Sequence, residues 1–159
     1  MSMTIFISHK NEDSNIASII CNKLNDLGVC AYLDLLEGDL TFDGEKLTNH
    51  IKGRLNSCTD LLVVMSKETQ KSWWVPFEIG MASQLDFPIV SYLTDKVSLP
   101  EYLSYWPALK ELADLPKYIS AKNSILNENT TYKKSYNSEK YTSKHSQTDA
   151  FYKKLKNIL

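Results

Sequence analysis

Four short apolar runs, separated by stretches with helical spacing, constrain the fold of this chain most strongly. The runs are Thr4–Ser8, Val29–Leu33, Leu61–Met65 and Phe87–Leu93. The first shows no alternation of polar and apolar residues, which indicates a strand covered on both faces, and the third is the most hydrophobic, which indicates a central strand. Strands joined through helices pair in parallel. We therefore expect a three-layer α/β domain, with a central parallel sheet of about five strands and helices on both faces.

Helical patterns fill the intervals between the runs. Apolar residues at helical spacing predict a first helix that ends at Gly28 and a second that starts near Glu45, with Asp43 as candidate cap. A third helix is predicted over Ser72–Ser83, because Pro76 is tolerated in a first turn, where its missing N–H is not needed. The residues that define the first two helices are Ile16, Ile20, Leu24, Leu27, Leu47, Ile51 and Leu55.

The C-terminal part of the chain carries weaker signals. Leu109–Ile119 is compatible with a short edge strand and a helical turn. Residues 123–148 are rich in Asn, Ser, Thr, Lys and Tyr, which favours a polar surface loop or insertion. Residues 149–159 have one apolar face and predict an amphipathic helix that packs on the domain. The expected organisation is an α/β domain over 1–122, followed by these two segments.

Composition and charge exclude several classes of function. With 43% hydrophobic and 23% charged residues the chain is globular, and a net charge of −1 with a pI near 6.3 argues against nucleic-acid binding. The cysteines Cys21, Cys30 and Cys58 lie in apolar patterns without paired metal-ligand spacing, so we expect buried thiols in a reducing compartment, the cytoplasm. We expect neither a signal peptide nor a membrane anchor, because no apolar stretch is long enough.

Several familiar catalytic motifs are missing from the sequence. No glycine-rich phosphate loop follows the first strand, which argues against an ATPase or a Rossmann-type dehydrogenase. The histidines His9, His50 and His145 are far apart, and none pairs with another ligand at helical spacing, so no metal site is expected. Ser8 and His9 are neighbours and no nucleophile elbow is present, which disfavours a serine hydrolase.

Polar and aromatic side chains follow the predicted strands at the point where each strand ends. In an open parallel sheet these ends share one edge, and ligands bind in the crevice there. An irregular loop from Leu35 to Gly44 follows the second strand, and long loops of this kind are usually functional. We therefore expect one cleft lined by Ser8, His9, Lys10, Asp34, Ser66, Trp73, Trp74 and Glu78.

Glu78 is the acid with the most suggestive surroundings. Near the N-terminus of the third helix, where backbone N–H groups are unpaired, its carboxylate is expected to stay ionised beside Trp73 and Trp74. A fixed carboxylate next to an aromatic surface can stabilise a positive charge that develops on a bound substrate. The alternative is a first-turn acid without function beside two core tryptophans, and these residues taken alone favour that alternative.

The order of several segments resembles the Toll/interleukin-1 receptor (TIR) domain family, in particular its bacterial members linked to Thoeris-type antiphage defence. The segments are IFISHKNED, YLD before a glycine-containing loop, LLVVMS and SWWVPFEIG, all within residues 4–93. The resemblance implies a flavodoxin-like fold and a loop after the second strand that controls assembly and substrate access. It also implies a catalytic glutamate one helical turn after a tryptophan, here Glu78 after Trp74.

The reaction implied by the resemblance is the cleavage of NAD⁺, which is then a substrate, and no other cofactor is expected. Nicotinamide leaves NAD⁺ as a neutral ring, so no acid has to protonate it, and one carboxylate is enough to stabilise the ribosyl oxocarbenium. Trp74, with Phe6 or Phe42, is expected to stack on the nicotinamide. Contacts with ribose, phosphate or other parts of the substrate are expected from Ser8, His9, Lys10, Asp34, Asp43, Ser66 and Trp73.

Two hypotheses about function follow from the sequence. The first is an NAD⁺ nucleosidase or cyclase that makes an ADP-ribose-derived signal, cyclic or conjugated, for a separate effector in antiphage defence. The second is a non-catalytic TIR interaction module that recruits partners through residues 35–44, a loop that carries Leu40 and Phe42. The resemblance also implies self-association through this loop, and neither nucleic acid nor a membrane is expected as a partner.

Overall fold

Helices and strands alternate along the chain in the computed structural model, which describes residues 2–33 and 44–159. The strands are β1 Thr4–Ser8, β2 Cys30–Leu33, β3 Asp60–Met65, β4 Ile89–Leu93 and β5 Ala108–Leu109. The helices are α1 Ser14–Asp26, α2 Gly44–Asn56, α3 Trp74–Gln84, α4 Glu101–Ser104, α5 Asp114–Tyr136 and α6 Lys144–Ile158.

Within the described residues the strands form one five-stranded parallel sheet in the order β2-β1-β3-β4-β5. The chain passes from β1 outward to β2 and then returns to β3 on the other side of β1. This reversal creates a crevice at the carboxyl ends of β1 and β3, where ligands bind in open α/β sheets. The predicted flavodoxin-like fold with a central parallel sheet is confirmed, and its fifth strand is the short edge strand expected near Leu109.

Both faces of the sheet are covered, so the fold has three layers. Alternate side chains of each strand enter opposite cores, which explains why the strands are apolar throughout. The core under α1, α5 and α6 contains Ile5, Ile7, Leu62, Val64, Val90 and Tyr92 from the strands. The core under α2 and α3 contains Phe6, Leu61, Val63, Met65 and Ile89.

Residues 123–148 are helical over most of their length and are not the polar loop or insertion that their composition predicts. α5 continues to Tyr136, and α6 begins at Lys144, earlier than the predicted residue 149. Ser143 caps α6 in a capping box, in which the Ser146 backbone N–H donates to the Ser143 hydroxyl oxygen. α6 packs on the sheet through Phe151, Tyr152 and Leu155.

A cluster around Glu128 explains how so polar a sequence stays helical. Ile125 is the last buried residue of α5. Beyond it, the Glu128 carboxylate accepts hydrogen bonds from Lys154 Nζ at 2.5 Å, Lys140 Nζ at 2.8 Å and the Tyr141 hydroxyl at 2.9 Å. The bond from Lys140, followed by those from Lys154 and Tyr141, lowers the pKa of Glu128 from 4.5 to about 2. Side-chain pairs therefore replace apolar contacts along the distal part of α5.

The cysteines differ in exposure. All three are free thiols, and Cys21 and Cys58 are buried as predicted. Cys30 is exposed, contrary to the prediction. It opens β2, and among the described strands β2 lies at the edge of the sheet, with a neighbouring strand on one flank only.

Candidate active site

A hydrogen bond joins the end of β1 to the inner face of α3. The Ser8 hydroxyl donates to Oε2 of Glu78, and Glu78 is only 5% exposed. The other buried residues of α3 are apolar, namely Val75, Ile79 and Ala82. Because a buried carboxylate is costly unless it is hydrogen-bonded, Ser8 supplies a donor that Glu78 requires at this depth. Glu78 is therefore neither solvated nor in the first turn of its helix.

Glu78 lies just beyond the first turn of its helix. α3 begins at Trp74, and its first turn holds no acid. The backbone N–H groups of Trp74 and Val75 donate to the Ser72 hydroxyl oxygen, at 3.2 and 3.3 Å. The field of a helix end falls off within the first turn, so it stabilises the Glu78 carboxylate less than expected.

The two tryptophans have different surroundings. Trp74 is partly buried against the core under α2 and α3, and it meets Phe77 edge-to-face with 5.9 Å between ring centroids. Trp73 is 90% exposed, so the alternative in which both tryptophans are core residues is wrong for Trp73. Trp74 precedes Glu78 by one helical turn, which is the spacing of neighbours on a helix surface.

A cavity opens beside the first turn of α3. Its volume is about 320 Å³, at the small end of the range for ligand sites. Neither Ser8 nor Glu78 lines this cavity, although Lys10 follows Ser8 by two residues and Trp74 lies one turn before Glu78. Larger cavities of about 660 and 650 Å³ lie along α5 and between α2 and α3. The lining of the cavity beside α3 is Lys10, Asn11, Glu12, Lys71, Ser72, Trp73 and Trp74.

Lys10 faces this cavity within a chain of ion pairs. Its Nζ lies 3.2 Å from Glu12 Oε1 and 3.9 Å from Glu68 Oε2, and Lys71 Nζ lies 3.3 Å from Glu68 Oε1. His9 is buried, with Nδ1 3.3 Å from a carbonyl oxygen of β1. His9 and Lys10 were both expected to line one cleft. In the structure His9 is buried in the fold, whereas Lys10 lines the cavity.

Ser66 takes part in a buried hydrogen-bond cluster with Asp13 and Thr69. The Ser66 hydroxyl donates to Asp13 Oδ2 at 2.6 Å, and the Thr69 hydroxyl donates to the same oxygen. Ser66 Oγ also accepts from the backbone N–H groups of Glu68 and Thr69, both at 3.1 Å. This cluster, the Asp13 latch, ties the loop after β1 to the loop after β3. Its bonds occupy the Ser66 hydroxyl that was expected to contact substrate.

Phe6 is fully buried and does not offer a stacking face. Its ring lies in the core under α2 and α3, tilted against Tyr32 with 5.6 Å between centroids. The sequence analysis proposes Phe6 or Phe42 as a stacking partner of the nicotinamide, but the burial of Phe6 excludes it from that role. Three other predicted site residues, Asp34, Phe42 and Asp43, lie outside the described residues. The same holds for the predicted loop of residues 35–44, of which only Gly44 is described.

Several polar residues of this region were not predicted. Asp13 occupies the N-cap position of α1 but makes no side-chain cap hydrogen bond there, and instead it holds the latch. Thr69 carried no signal in the sequence. Ser91 lies in the same register row as Ser8, and its buried hydroxyl has no hydrogen-bond partner in the part of the chain that the structure describes.

The described residues, 2–33 and 44–159, contain neither a membrane-spanning helix nor a metal-ligand cluster. Each helix there is too short or too polar to traverse a bilayer. No group of three or more His, Cys, Asp or Glu side chains in these residues is arranged to hold a metal ion.

Comparisons with known proteins agree with this geometry. Residues 5–122 match a family model described as TIR domain. A curated protein from Bacillus cereus (strain MSX-D12), named Probable 3' cyclic ADP-D-ribose synthase ThsB', is 28% identical over 113 residues. That match covers 65% of this chain and 58% of the relative, so the chain spans less than two thirds of the relative's length.

A solved structure shows the same fold. It is the TIR domain of the Toll-related Receptor TRR-2 from the lower metazoan Hydra magnipapillata, which superposes with a TM-score of 0.54 at 19% sequence identity. The superposition covers 66% of this chain and 81% of the Hydra domain. At this identity the likeness concerns the fold alone.

Proposed function

This chain belongs to the TIR domain family, and on that premise we propose that it cleaves the bond between nicotinamide and ribose in NAD⁺. The product is an ADP-ribose-derived signalling molecule in Thoeris-type antiphage defence, which reaches a separate effector by diffusion in the cytoplasm. The name of the Bacillus cereus relative, a probable 3' cyclic ADP-D-ribose synthase, supports a cyclic product.

The burial of Glu78 against Ser8 is the observation that carries the proposal. A carboxylate on the inner face of α3 lowers the stability of the fold unless hydrogen bonds offset the cost of its desolvation. Buried titratable groups of this kind are concentrated at functional sites. Glu78 lies near the crevice formed by the carboxyl ends of β1 and β3, where this class of sheet binds ligands. Trp74, one turn away, supplies an aromatic wall.

The reaction needs a stabilised cation more than an acid. When the glycosidic bond of NAD⁺ breaks, its electron pair stays on the pyridine nitrogen and nicotinamide leaves as a neutral ring. The ribose is left with the positive charge, and the Glu78 carboxylate stabilises it electrostatically. An oxygen or nitrogen of the ADP-ribose part then attacks the same carbon to close a ring and loses its proton to solvent, whereas attack by water gives linear ADP-ribose.

Ser8 positions the carboxylate for this role. Its hydroxyl donates to Oε2 of Glu78. Because Ser8 belongs to a strand and not to a loop, this hydrogen bond holds the Glu78 side chain in a fixed position. Trp74 is proposed to stack on the nicotinamide, a contact that contributes on the order of 1 kcal/mol. No metal is required by this chemistry, and NAD⁺ is consumed as a substrate.

The second hypothesis, a non-catalytic interaction module, was based on Leu40 and Phe42, which lie outside the described residues. Self-association through residues 35–44 is compatible with the enzymatic proposal, because both can operate in one protein.

Incubation of the purified protein with NAD⁺ tests the proposal. Nicotinamide is quantified by chromatography, and mass spectrometry of the ribose product distinguishes a cyclic molecule, which lacks the elements of water relative to linear ADP-ribose. Release of nicotinamide by the wild-type chain and not by Glu78→Ala is the expected result. Failure of the wild-type protein to release nicotinamide, alone, when clustered or in phage-infected cells, would contradict the proposal.

A further inference from the structure

The cavity beside α3 contains an aromatic surface that the cleavage step does not use. Trp73 is 90% exposed and forms part of the cavity wall, next to Trp74. An indole is among the largest apolar side chains, and leaving it in water gains nothing for the fold. Its flat face is suited to stacking on a base, because every nucleobase presents a π-face.

Lys10 and Lys71 line this cavity, and the carboxylate of Glu68, which does not line it, marks an anion position beside it. Glu68 lies between Lys10 and Lys71, with N–O distances of 3.9 and 3.3 Å. Two ammonium groups that converge on one carboxylate have the charge and spacing to receive a phosphate oxygen at the same place. The Lys10 side chain is 23% exposed, so a ligand that displaces Glu68 can reach it.

We infer that this cavity is a subsite for the adenylate end of a dinucleotide: the purine stacks on Trp73, and the diphosphate replaces Glu68 between Lys10 and Lys71. The inference rests on the proposed function, because it assigns the half of NAD⁺ that does not react. It also makes Glu68 an internal competitor of the substrate. Trp73 is the N-cap residue of α3 and Glu78 lies just beyond the first turn of this helix, so both belong to the N-terminal end of α3.

Binding of ADP tests the subsite separately from the chemistry. ADP contains the purine, ribose and diphosphate but no bond to nicotinamide, so its affinity does not depend on catalysis. Isothermal titration of ADP into the full chain should give a dissociation constant about tenfold higher for Trp73→Ala than for the wild type. Trp73→Phe should recover most of the loss, since a phenyl ring still stacks.

A Glu68→Gln variant provides a test in the opposite direction. Removal of the competing carboxylate should lower the dissociation constant for ADP about threefold, because Lys10 and Lys71 keep their charges. Tyr136→Ala is the matched control, since this aromatic side chain is 68% exposed and lies at the end of α5. The Tyr136→Ala variant should bind ADP with the affinity of the wild type.

Nicotinamide mononucleotide separates failure of the subsite from failure of the proposed reaction. It keeps the reactive bond and lacks the adenylate, so Trp73→Ala should raise KM for NAD⁺ and leave kcat/KM for the mononucleotide unchanged. If NAD⁺ is not cleaved but Trp73→Ala weakens ADP binding, the subsite stands and the proposed function fails.

Three results would overturn the inference. The first is ADP that shows no saturable binding to the wild type at millimolar concentration. The second is equal affinity for ADP in the wild type and Trp73→Ala. The third is a Trp73→Ala variant whose oligomeric state, measured by light scattering, differs from the wild type while its affinity for ADP does not. The exposed indole would then be a contact between copies of the chain.

Discussion

The hydroxyl of Ser8, the last residue of β1, donates a hydrogen bond to the carboxylate of Glu78, 70 residues later on the inner face of α3. The bond links the edge of the sheet, where ligands bind, to the one acid among the buried residues of that helix. Each residue explains the other, because a buried carboxylate requires a donor and a serine buried at a strand end requires an acceptor.

Replacement of Ser8 by alanine is expected to impair NAD⁺ cleavage. A hydrogen bond to a charged group contributes about 1.5–3 kcal/mol, so kcat/KM for nicotinamide release should fall about tenfold to a hundredfold. Steady-state rates over a series of NAD⁺ concentrations measure the effect.

Ser91→Ala is the control for that variant. Ser91 is as buried as Ser8 and lies in the same register row, but its hydroxyl has no partner within the described chain. Its removal should leave the rate unchanged and should leave the free energy of unfolding equal or higher by up to about 1 kcal/mol. Equal loss of activity in the two variants would mean that the Ser8–Glu78 bond has no special role.

The Asp13 latch is expected to contribute to stability. Asp13→Ala removes the acceptor for two hydroxyls, from Ser66 and Thr69, so the free energy of unfolding should fall by about 2–3 kcal/mol. Urea denaturation monitored by circular dichroism measures the change. Asp13→Asn keeps an acceptor oxygen and should lose less. Asp26 is an exposed aspartate at the end of α1, and the unfolding free energy of Asp26→Ala should stay within about 0.5 kcal/mol of the wild type. If Asp26→Ala loses as much stability as Asp13→Ala, the Asp13 latch makes no specific contribution.

Stability should depend on acid pH through Glu128. Its pKa is about 2 in the folded protein, lowered first by Lys140, against an ordinary value of 4.5. A group whose folded pKa is depressed stabilises the fold above its unfolded pKa, and this stabilisation is lost as the pH falls toward the folded pKa. Because the side chain is one-third exposed, solvent screening reduces the effect to about 1–2 kcal/mol.

The comparison of wild type with Glu128→Gln isolates this contribution. The wild type should be more stable near neutral pH, and the difference in unfolding free energy should shrink between about pH 4.5 and pH 2. Urea denaturation at several pH values measures it. A difference that stays constant over this range would show that the Glu128 charge is not involved.

The strands were predictable because of the layer that covers each face. Parallel strands buried on both sides are continuous apolar runs, so Thr4–Ser8 and Leu61–Met65 are visible without any tertiary information. The distal half of α5 was not predictable, because its stability comes from Lys140 and Lys154, which lie farther along the chain. A local window contains the polar residues but not their partners.

The site was predictable in part for a similar reason. Topology alone brings the end of β1 near α3, so Ser8 and Glu78 were both expected in one cleft. The depth of each side chain was not accessible, which is why Phe6 was proposed to stack on the nicotinamide although it lies in the core. The role of Asp13 was not accessible either, because a short acid before a helix has several possible partners, and only the fold selects among them.

The role of the Glu78 carboxylate is the central claim, and Glu78→Gln tests it most directly. The amide keeps the shape and can still accept the Ser8 hydrogen bond, but it carries no charge to stabilise the ribosyl cation. Nicotinamide release from NAD⁺ should fall about 100- to 1,000-fold in kcat, while the dissociation constant for ADP stays within about twofold of the wild type. Glu101→Gln, at an exposed position in α4, should match the wild type in both. A Glu78→Gln protein that releases nicotinamide at the wild-type rate would contradict the account.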